Sequence, residues 1–388
     1  MSFQNLTVLC HGRTINDDFV FPEQEWNARA AKARELIEKD DLDGLLIFAE
    51  SALTRGSICY LSNYHQFLTW GSSMLIFPRA GKPKLVMTIA PRDLTFIQKA
   101  MPPIAEYIPV GLNLTSNEHV STSAIGYMRE NGLIEGRRWG TVNLGSMPKA
   151  AVDPWLSVYP GGLPDFTAEF GRIRSVKSSG EIHALSAGSM IAKTAVYDYL
   201  RLAKPGANEM KLAADADRQA RLRGCESVNL LTYSGKDDTT MLRVPWDRDF
   251  EDGDTVSAFM NVSYLRYYGV FGATAVIGGK TAVQESLFEA ADELFAAKIG
   301  EMRQGYVTTG YQEGHCDKCG ADHYTVVNGV GMDLSDYPDA PGERAEVLEN
   351  MTFTVSLSVK KKGAGSVFIS RNLLVTKDGI FPLSGFGG

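Results

Sequence analysis

The sequence predicts an α+β protein of two domains, a smaller α/β domain followed by a larger one built of helices and strand pairs. Three observations predict it. The chain has 388 residues, enough for two folded units. Helical patterns and short apolar strand runs intermix throughout it. A run with two prolines and two glycines, YPGGLPD at 159–165, interrupts regular structure and marks a linker, giving domains 1–165 and 166–388.

The elements follow in order. WNARAAKARELIEK (26–39) is rich in Ala, Glu, Lys and Leu and reads as a helix. LDGLLIF (42–48) is a short apolar run and reads as a buried strand. SSMLIF and PKLVMTI flank the turn-rich PRAGK, which suits a hairpin. RDLTFIQKAM (92–101) reads as a further helix. Past the linker, SSGEIHALSAGSMIAKTAVYDYLRL is a helix that Ser178 or Ser179 can cap and that Pro205-Gly206 ends. A second helix covers roughly 209–223 and a long one about 281–303. Strands are expected around GDTVSAFMNVSYLRYYG, NMTFTVSLSV and SVFISRNLLVT. Helices, strand pairs, a helix and strands again fit an α+β arrangement.

Composition narrows the function classes. A net charge of -7 weighs against nucleic acid and anionic membranes as partners. No stretch reaches the ~18 apolar residues of a membrane span, and the N-terminus lacks a secretion-signal pattern. The cysteines (Cys10, Cys59, Cys225, Cys316 and Cys319) are odd in number, which suits free thiols in a reducing cytoplasm.

Five ordered blocks resemble one family. FGRIRSVKSSGEIHALSA, GDTVSAFMNVSYLRYYGVFGAT, NGVGMDLSDYP, NMTFTVSLSV and SVFISRNLLVTKDG run from Phe170 to Gly379. Together they resemble the catalytic domain of the creatinase, prolidase and aminopeptidase P superfamily. The resemblance implies a pita-bread C-terminal domain behind a creatinase-like N-terminal α/β domain. Its metal enzymes use two Asp, one His and two Glu to hold two cations. The matching positions here are Phe259, Val270, Asn328, Ser356 and Ser370. None supplies negative charge, so no cofactor is expected at the family metal site. Creatinase offers a metal-free analogy, with a His and two Glu as reagents. Those align at Leu242 or Arg243, near Gly272 and at Ser356, and the second His of the glycine-rich loop falls at Ser335. The scaffold matches creatinase; the reagents do not.

Uncharged hydrogen-bonding groups beside apolar walls describe a small-molecule pocket, with filler in a dead site as the alternative. Phe259, Val270, Asn328, Ser335, Ser356, Ser370 and Arg371 are the candidate substrate-binding residues, and Tyr267, Tyr268, Arg243 and Asp238 the candidate catalytic ones. Strand alternation turns one of Tyr267 and Tyr268 inward, where a phenol can move a proton; packing explains either alone. Arg243 and Arg371 suit a substrate carboxylate, or are ordinary surface arginines. Lys360, Lys361 and Lys362 read as a solvated turn, and Asp237 and Asp238 lie in a polar loop. Neither serine has a neighbouring His, and there is no G-x-S-x-G elbow.

GHCDKCGADH carries His315, Cys316, Cys319 and His323, the ligand types of a tetrahedral zinc clip. A redox C-x-x-C and unliganded thiols are the competing readings. The function expected is a metal-independent, creatinase-like hydrolase or lyase on a small polar molecule. A non-catalytic pseudo-peptidase binding protein is the alternative, and a metal-dependent Xaa-Pro peptidase the third reading. A homodimer is implied by the resemblance, with Arg55, Tyr64, His65 and Trp70 as residues that could reach a partner's pocket.

Overall fold

The computed structural model describes residues 8–10, 13–15, 21–50, 54–64, 71–89, 106–111, 118–236 and 242–385. The chain forms two compact units that divide between Arg174 and Ser175; the second also takes in Arg13–Asn16. The expected helix at 92–101 and the residues His65, Trp70, Asp237 and Asp238 lie outside the described residues.

In the first unit, helix α1 (Glu23–Lys39) starts behind Pro22, three residues before the sequence pattern suggested. It buries Trp26, Arg29, Ala30, Ala33, Leu36 and Ile37, a single stripe at helical spacing. The sheet consists of β1 (Gly44–Glu50), β2 (Ser72–Pro78), β3 (Lys84–Thr88), β4 (Glu106–Val110) and β5 (Trp139–Val142). Its order is β4-β3-β2-β1-β5. β2 and β3 form the expected antiparallel hairpin, while β5 joins β1 in parallel. Leu46, Phe48, Met74, Ile76 and Val86 pack with Val120, Ala124 and Met128 of helix α2 (Glu118–Glu130). The run at 159–165 turns back along β5, where Asp165 bridges Thr141. Arg55 and Tyr64 are buried inside this unit and do not project from it.

The second unit is organised by three helices and a large antiparallel sheet, with a small separate one in which Tyr306–Thr308 pairs with Arg344–Glu346. Helix α3 (Ser179–Leu202) opens with a capping box in which Ser178 and Glu181 satisfy each other's backbone amides. Helix α4 (Glu209–Leu222) is capped by Asn208, and α5 (Ala282–Met302) by a second capping box, Thr281 with Gln284. The strands are β6 (Ser227–Gly235), β7 (Thr255–Tyr264), β8 (Tyr267–Val276), β9 (Gly310–Cys316), β10 (Ala321–Gly329), β11 (Thr352–Lys361), β12 (Gly365–Thr376) and β13 (Gly379–Pro382). Their order is β9-β10-β11-β12-β8-β7-β6, with β13 paired to β12.

Period-two alternation gives this sheet two unlike faces. One carries Val256, Ala258, Met260, Val262 and Phe271 against α3 and α4. The same face continues through Val355, Leu357, Val359 and Val367, which pack with residues of α5. The opposite face carries the hydroxyls and amides of the same strands. Helix α3 lies close on the sheet because Gly188 meets Gly269: a Cβ built on Gly269 would sit 2.0 Å from the Gly188 carbonyl carbon.

Candidate functional site

Strand register decides which candidates share a face. Phe259 pairs with Gly272 and Val270 with Asn261 across β7–β8. Gly272 pairs with Ser370, Ser370 with Ser356, and Ser356 with Val326, two residues from Asn328. Directly opposed residues point the same way, as do residues two apart. Phe259, Val270, Asn328, Ser356 and Ser370 therefore all lie on the polar face, drawn from five strands.

The interactions there are local and neutral. The Ser356 and Ser370 hydroxyls lie 2.7 Å apart, one donating a hydrogen bond to the other. One row along, the Thr354 hydroxyl donates to Asn372 Oδ1 at 2.8 Å, and Asn372 Nδ2 donates to the Tyr268 carbonyl. Asn328 Nδ2 donates to the Gly329 and Leu334 carbonyls, pinning the loop that follows β10. Phe259 meets Phe368 edge-to-face, with ring centroids 5.6 Å apart. Gly272 makes room for that pair, since a Cβ there would sit 2.5 Å from the Phe368 ring. The centre of the face is thus a ladder of hydroxyls and amides beside an aromatic plug.

The other candidates separate from it. Tyr268 is on the polar face, half-buried. Tyr267 is not: it is buried on the helix-packed face and donates its phenol to Glu181 Oε1 at 2.9 Å. That carboxylate also serves the capping box of α3, so Tyr267 is a structural residue. Arg371 also turns to the helix-packed face, paired with Phe271 in the register. Its guanidinium lies over the Phe271 ring at 3.8 Å and donates to the carbonyls of Gly272 and Ser370. Burial pulls Arg371 down to about 10. It holds the backbone behind Ser370 and presents no charge to the pocket side. Ser335 is exposed in the loop after Asn328, and Asp238 lies outside the described residues.

Arg243 is corrected in the same way. It donates to Glu209 Oε1 at 2.6 Å and stacks on Trp246 at 4.1 Å. Glu209, fully buried at the start of α4, also accepts from Thr232, Ser234 and the Trp246 amide. Burial raises its carboxyl, but the hydrogen bonds from Arg243, Ser234, Thr232 and Trp246 outweigh that and leave it lowered. The stability Glu209 contributes is thus present above its unfolded value, about 4.3, and lost as pH falls through the lower folded value. Arg243→Met strands a buried carboxylate and is expected to cost about 3 kcal/mol, read from urea midpoints at pH 7. The deficit should shrink as the medium is acidified and Glu209 gains a proton.

The cysteine and histidine segment does not gather into one site. Cys316 and Cys319 pack toward α5, and Cys319 Sγ lies 3.7 Å from the Cys316 carbonyl. His315 is on the other face, its Nδ1 2.7 Å from Asp322. Among the described residues no three His, Cys, Asp or Glu side chains are grouped to hold a metal, so the four donors form no tetrahedral set. Alternation along β9 explains the split, because neighbouring His315 and Cys316 must face opposite ways.

Phe368, Thr354 and Asn372 were missed as site residues. The T-x-T-x-S-x-S alternation of 352–358 was the available signal: each polar residue lies two from the next, between core residues.

Comparison with known proteins places this geometry. The family model for metallopeptidase family M24 matches residues 184–377, half of the chain. A Bacillus subtilis protein described as uncharacterized peptidase YqhT is 23% identical over 222 residues, which is 54% of this chain and 62% of that protein. The match therefore spans less than two thirds of the curated relative. Among solved structures, a prolidase from Pyrococcus horikoshii superposes with a TM-score of 0.71 at 18% identity, covering 93% of this chain and 99% of that one. An Xaa-Pro dipeptidase from Bacillus anthracis gives 0.72 at 17% identity, covering 93% and 98%. These likenesses establish the fold, the pita-bread architecture expected from the five sequence blocks.

Proposed function

From the premise that this chain belongs to metallopeptidase family M24, we propose that it binds and transforms a small polar molecule on its polar sheet face without a metal pair. The observation that carries this reading is the shared face of Phe259, Val270, Asn328, Ser356 and Ser370. Two hard cations need several carboxylate or imidazole donors. The five positions offer two hydroxyls, one amide and apolar carbon, and the Phe259–Phe368 pair fills space beside them. These residues do not fit a dinuclear site.

A creatinase-like hydrolase or lyase is the reaction class that suits the scaffold. Tyr268 is the acid–base candidate nearest the Thr354–Asn372 row on this face, where Asn372 donates to its carbonyl. Ser356 and Ser370 bond each other and act as binding groups, because a serine nucleophile needs an adjacent base. That same pairing favours the second reading, a non-catalytic pseudo-peptidase that binds the molecule unchanged. The reading also carries a homodimer and a cytoplasmic location as expectations, the first open to light scattering. Among the described residues no helix is long and apolar enough to cross a membrane.

Thermal-shift screening with amino acids, betaines, guanidino compounds and aromatic acids tests the proposal. Stabilisation that Ser356→Ala abolishes supports it, and turnover of the same compound separates the enzyme from the binder. Elemental analysis after growth with added manganese and cobalt supplies the other test. Less than a tenth of an equivalent of metal per chain is expected (about tenfold below loading of one site). Two equivalents with dipeptide cleavage would overturn it in favour of a metal-dependent peptidase.

A further inference from the structure

The strand pair β9–β10 and its neighbour β11 form an open pocket of about 400 Å³ at one end of the sheet, lined by Tyr311, Glu313, Asp322, His323, Tyr324 and Lys360. Tyr311, Glu313 and His315 share a face with Tyr324, Asp322 and Lys360, by the register of β9 to β10 and β10 to β11. Tyr311 and Tyr324 stack at 5.5 Å with their planes 29° apart. One side of the Tyr311 ring is thereby covered, and the residue remains half-exposed on the other. Its phenol donates to Glu313 Oε1 at 2.7 Å, and the hydrogen bond from it to that carboxylate pushes Tyr311 up to about 12, so the phenol stays neutral at physiological pH.

This bond fixes both partners. It leaves the second oxygen of Glu313 with no hydrogen-bond partner among the described residues, on the same strand face as the uncovered side of the Tyr311 ring, and a carboxylate with an aromatic face is the pair of groups that attracts an organic cation. Asp322 adds a second carboxylate, one of whose oxygens is already beside His315 Nδ1. Across the cavity, Lys360 stands opposite Asp322 in the register but makes no ion pair or hydrogen bond among the described residues. Its ammonium is free to meet an anion.

We propose that this cavity is a binding site for a small zwitterion, an ammonium held by Glu313 and the open face of Tyr311 and a carboxylate held by Lys360. The site goes beyond the central Ser356–Ser370 row and uses none of its side chains. Betaines and short amino acids have the required charge separation. A cation alone or a carboxylate alone satisfies only one side, and leaves the other charge where it was.

Isothermal titration of the full chain with glycine betaine, choline and acetate tests the assignment. Glycine betaine is expected to bind at least about tenfold more tightly than either single-charge probe. Glu313→Gln and Lys360→Met are each expected to weaken it about tenfold or more, and Tyr311→Leu likewise. All three side chains are at the surface or half-buried, so the variants should fold, and circular dichroism checks that they do. Equal binding of choline and glycine betaine would overturn the zwitterion assignment. So would binding that survives Glu313→Gln and Lys360→Met but is lost in Ser356→Ala, which would instead place the ligand at the central row. No heat with glycine betaine, glycine or proline would overturn this site and leave the central row untouched.

Discussion

Gly269→Ala is expected to destabilise the second unit by about 4 kcal/mol. A Cβ at 269 would sit 2.0 Å from the Gly188 carbonyl carbon and 2.3 Å from the Ser189 amide nitrogen. Both obstacles are backbone of helix α3, so no side chain can swing aside. Relief requires the helix to lift from β8. That lift opens the core in which Ala192, Ala195 and Val196 meet Met260, Val262 and Phe271. Overpacking ordinarily costs 1–3 kcal/mol; here the lost burial adds to it. The converse variant, Gly188→Ala, brings its Cβ to 3.2 Å from Gly269 and should cost only about 1 kcal/mol. Melting temperatures read the contrast, with a drop of roughly 10 °C expected for Gly269→Ala. A melt within 3 °C of the parent (under about 1 kcal/mol) would mean that helix α3 is not seated on β8 as described.

Much of the fold was legible because its signals are local. The sequence offered Ser178 or Ser179 as the cap of α3, and the Ser178–Glu181 capping box puts the start at Ser178. Strand alternation over 352–359 places Val355, Leu357 and Val359 in the core without any knowledge of their partners. The site was legible as a set of positions and less so as a set of directions. Tyr267 and Tyr268 are equal candidates in the sequence; the β7–β8 register, anchored by Gly269 against Gly188, gives the polar face to Tyr268 alone. Arg371 was assigned to the pocket as the neighbour of Ser370, yet on a strand a neighbour is the residue that points away. Arg243 was misplaced for a different reason. Its partner, Glu209, is 34 residues earlier on another element, and a buried ion pair at that separation has no signature in a single sequence. Alternation also splits the zinc-type donors, since adjacent His315 and Cys316 face opposite ways on the strand.

Restoring a carboxylate to the polar face without its cation should be severely destabilising, and Ser370→Glu is the sharpest case. Ser370 is fully buried, with its hydroxyl 2.7 Å from Ser356 and its neighbours Gly272 and Phe368 tight around it. The arginine next to it in the chain, Arg371, is turned to the opposite face and cannot pair with a glutamate there. The expected cost is at least about 3 kcal/mol at pH 7, from desolvation of the charge together with overpacking. Desolvation raises the folded-state pKa of such a carboxyl above the unfolded value of about 4.3. The electrostatic part of the penalty should therefore be absent below pH 4 (where both states hold the proton), grow as pH rises toward the folded value, and level off above it. Urea midpoints measured between pH 4 and pH 8 separate that part from the steric part, which does not depend on pH. The decisive arm adds manganese. If the face had kept the capacity to hold a cation, the ion would bind the folded state and recover stability in proportion to its concentration. With Phe259 and Val270 at two of the positions and Phe368 packed against Phe259, no recovery is expected. Replacing all five positions by the family's Asp, Asp, His, Glu and Glu should still fail to load metal while Phe368 remains, and should succeed only when Phe368 is also reduced to alanine. Loading by the fivefold variant with Phe368 intact would show that the aromatic plug is incidental and that the ligand positions alone decide whether this sheet is a metal enzyme.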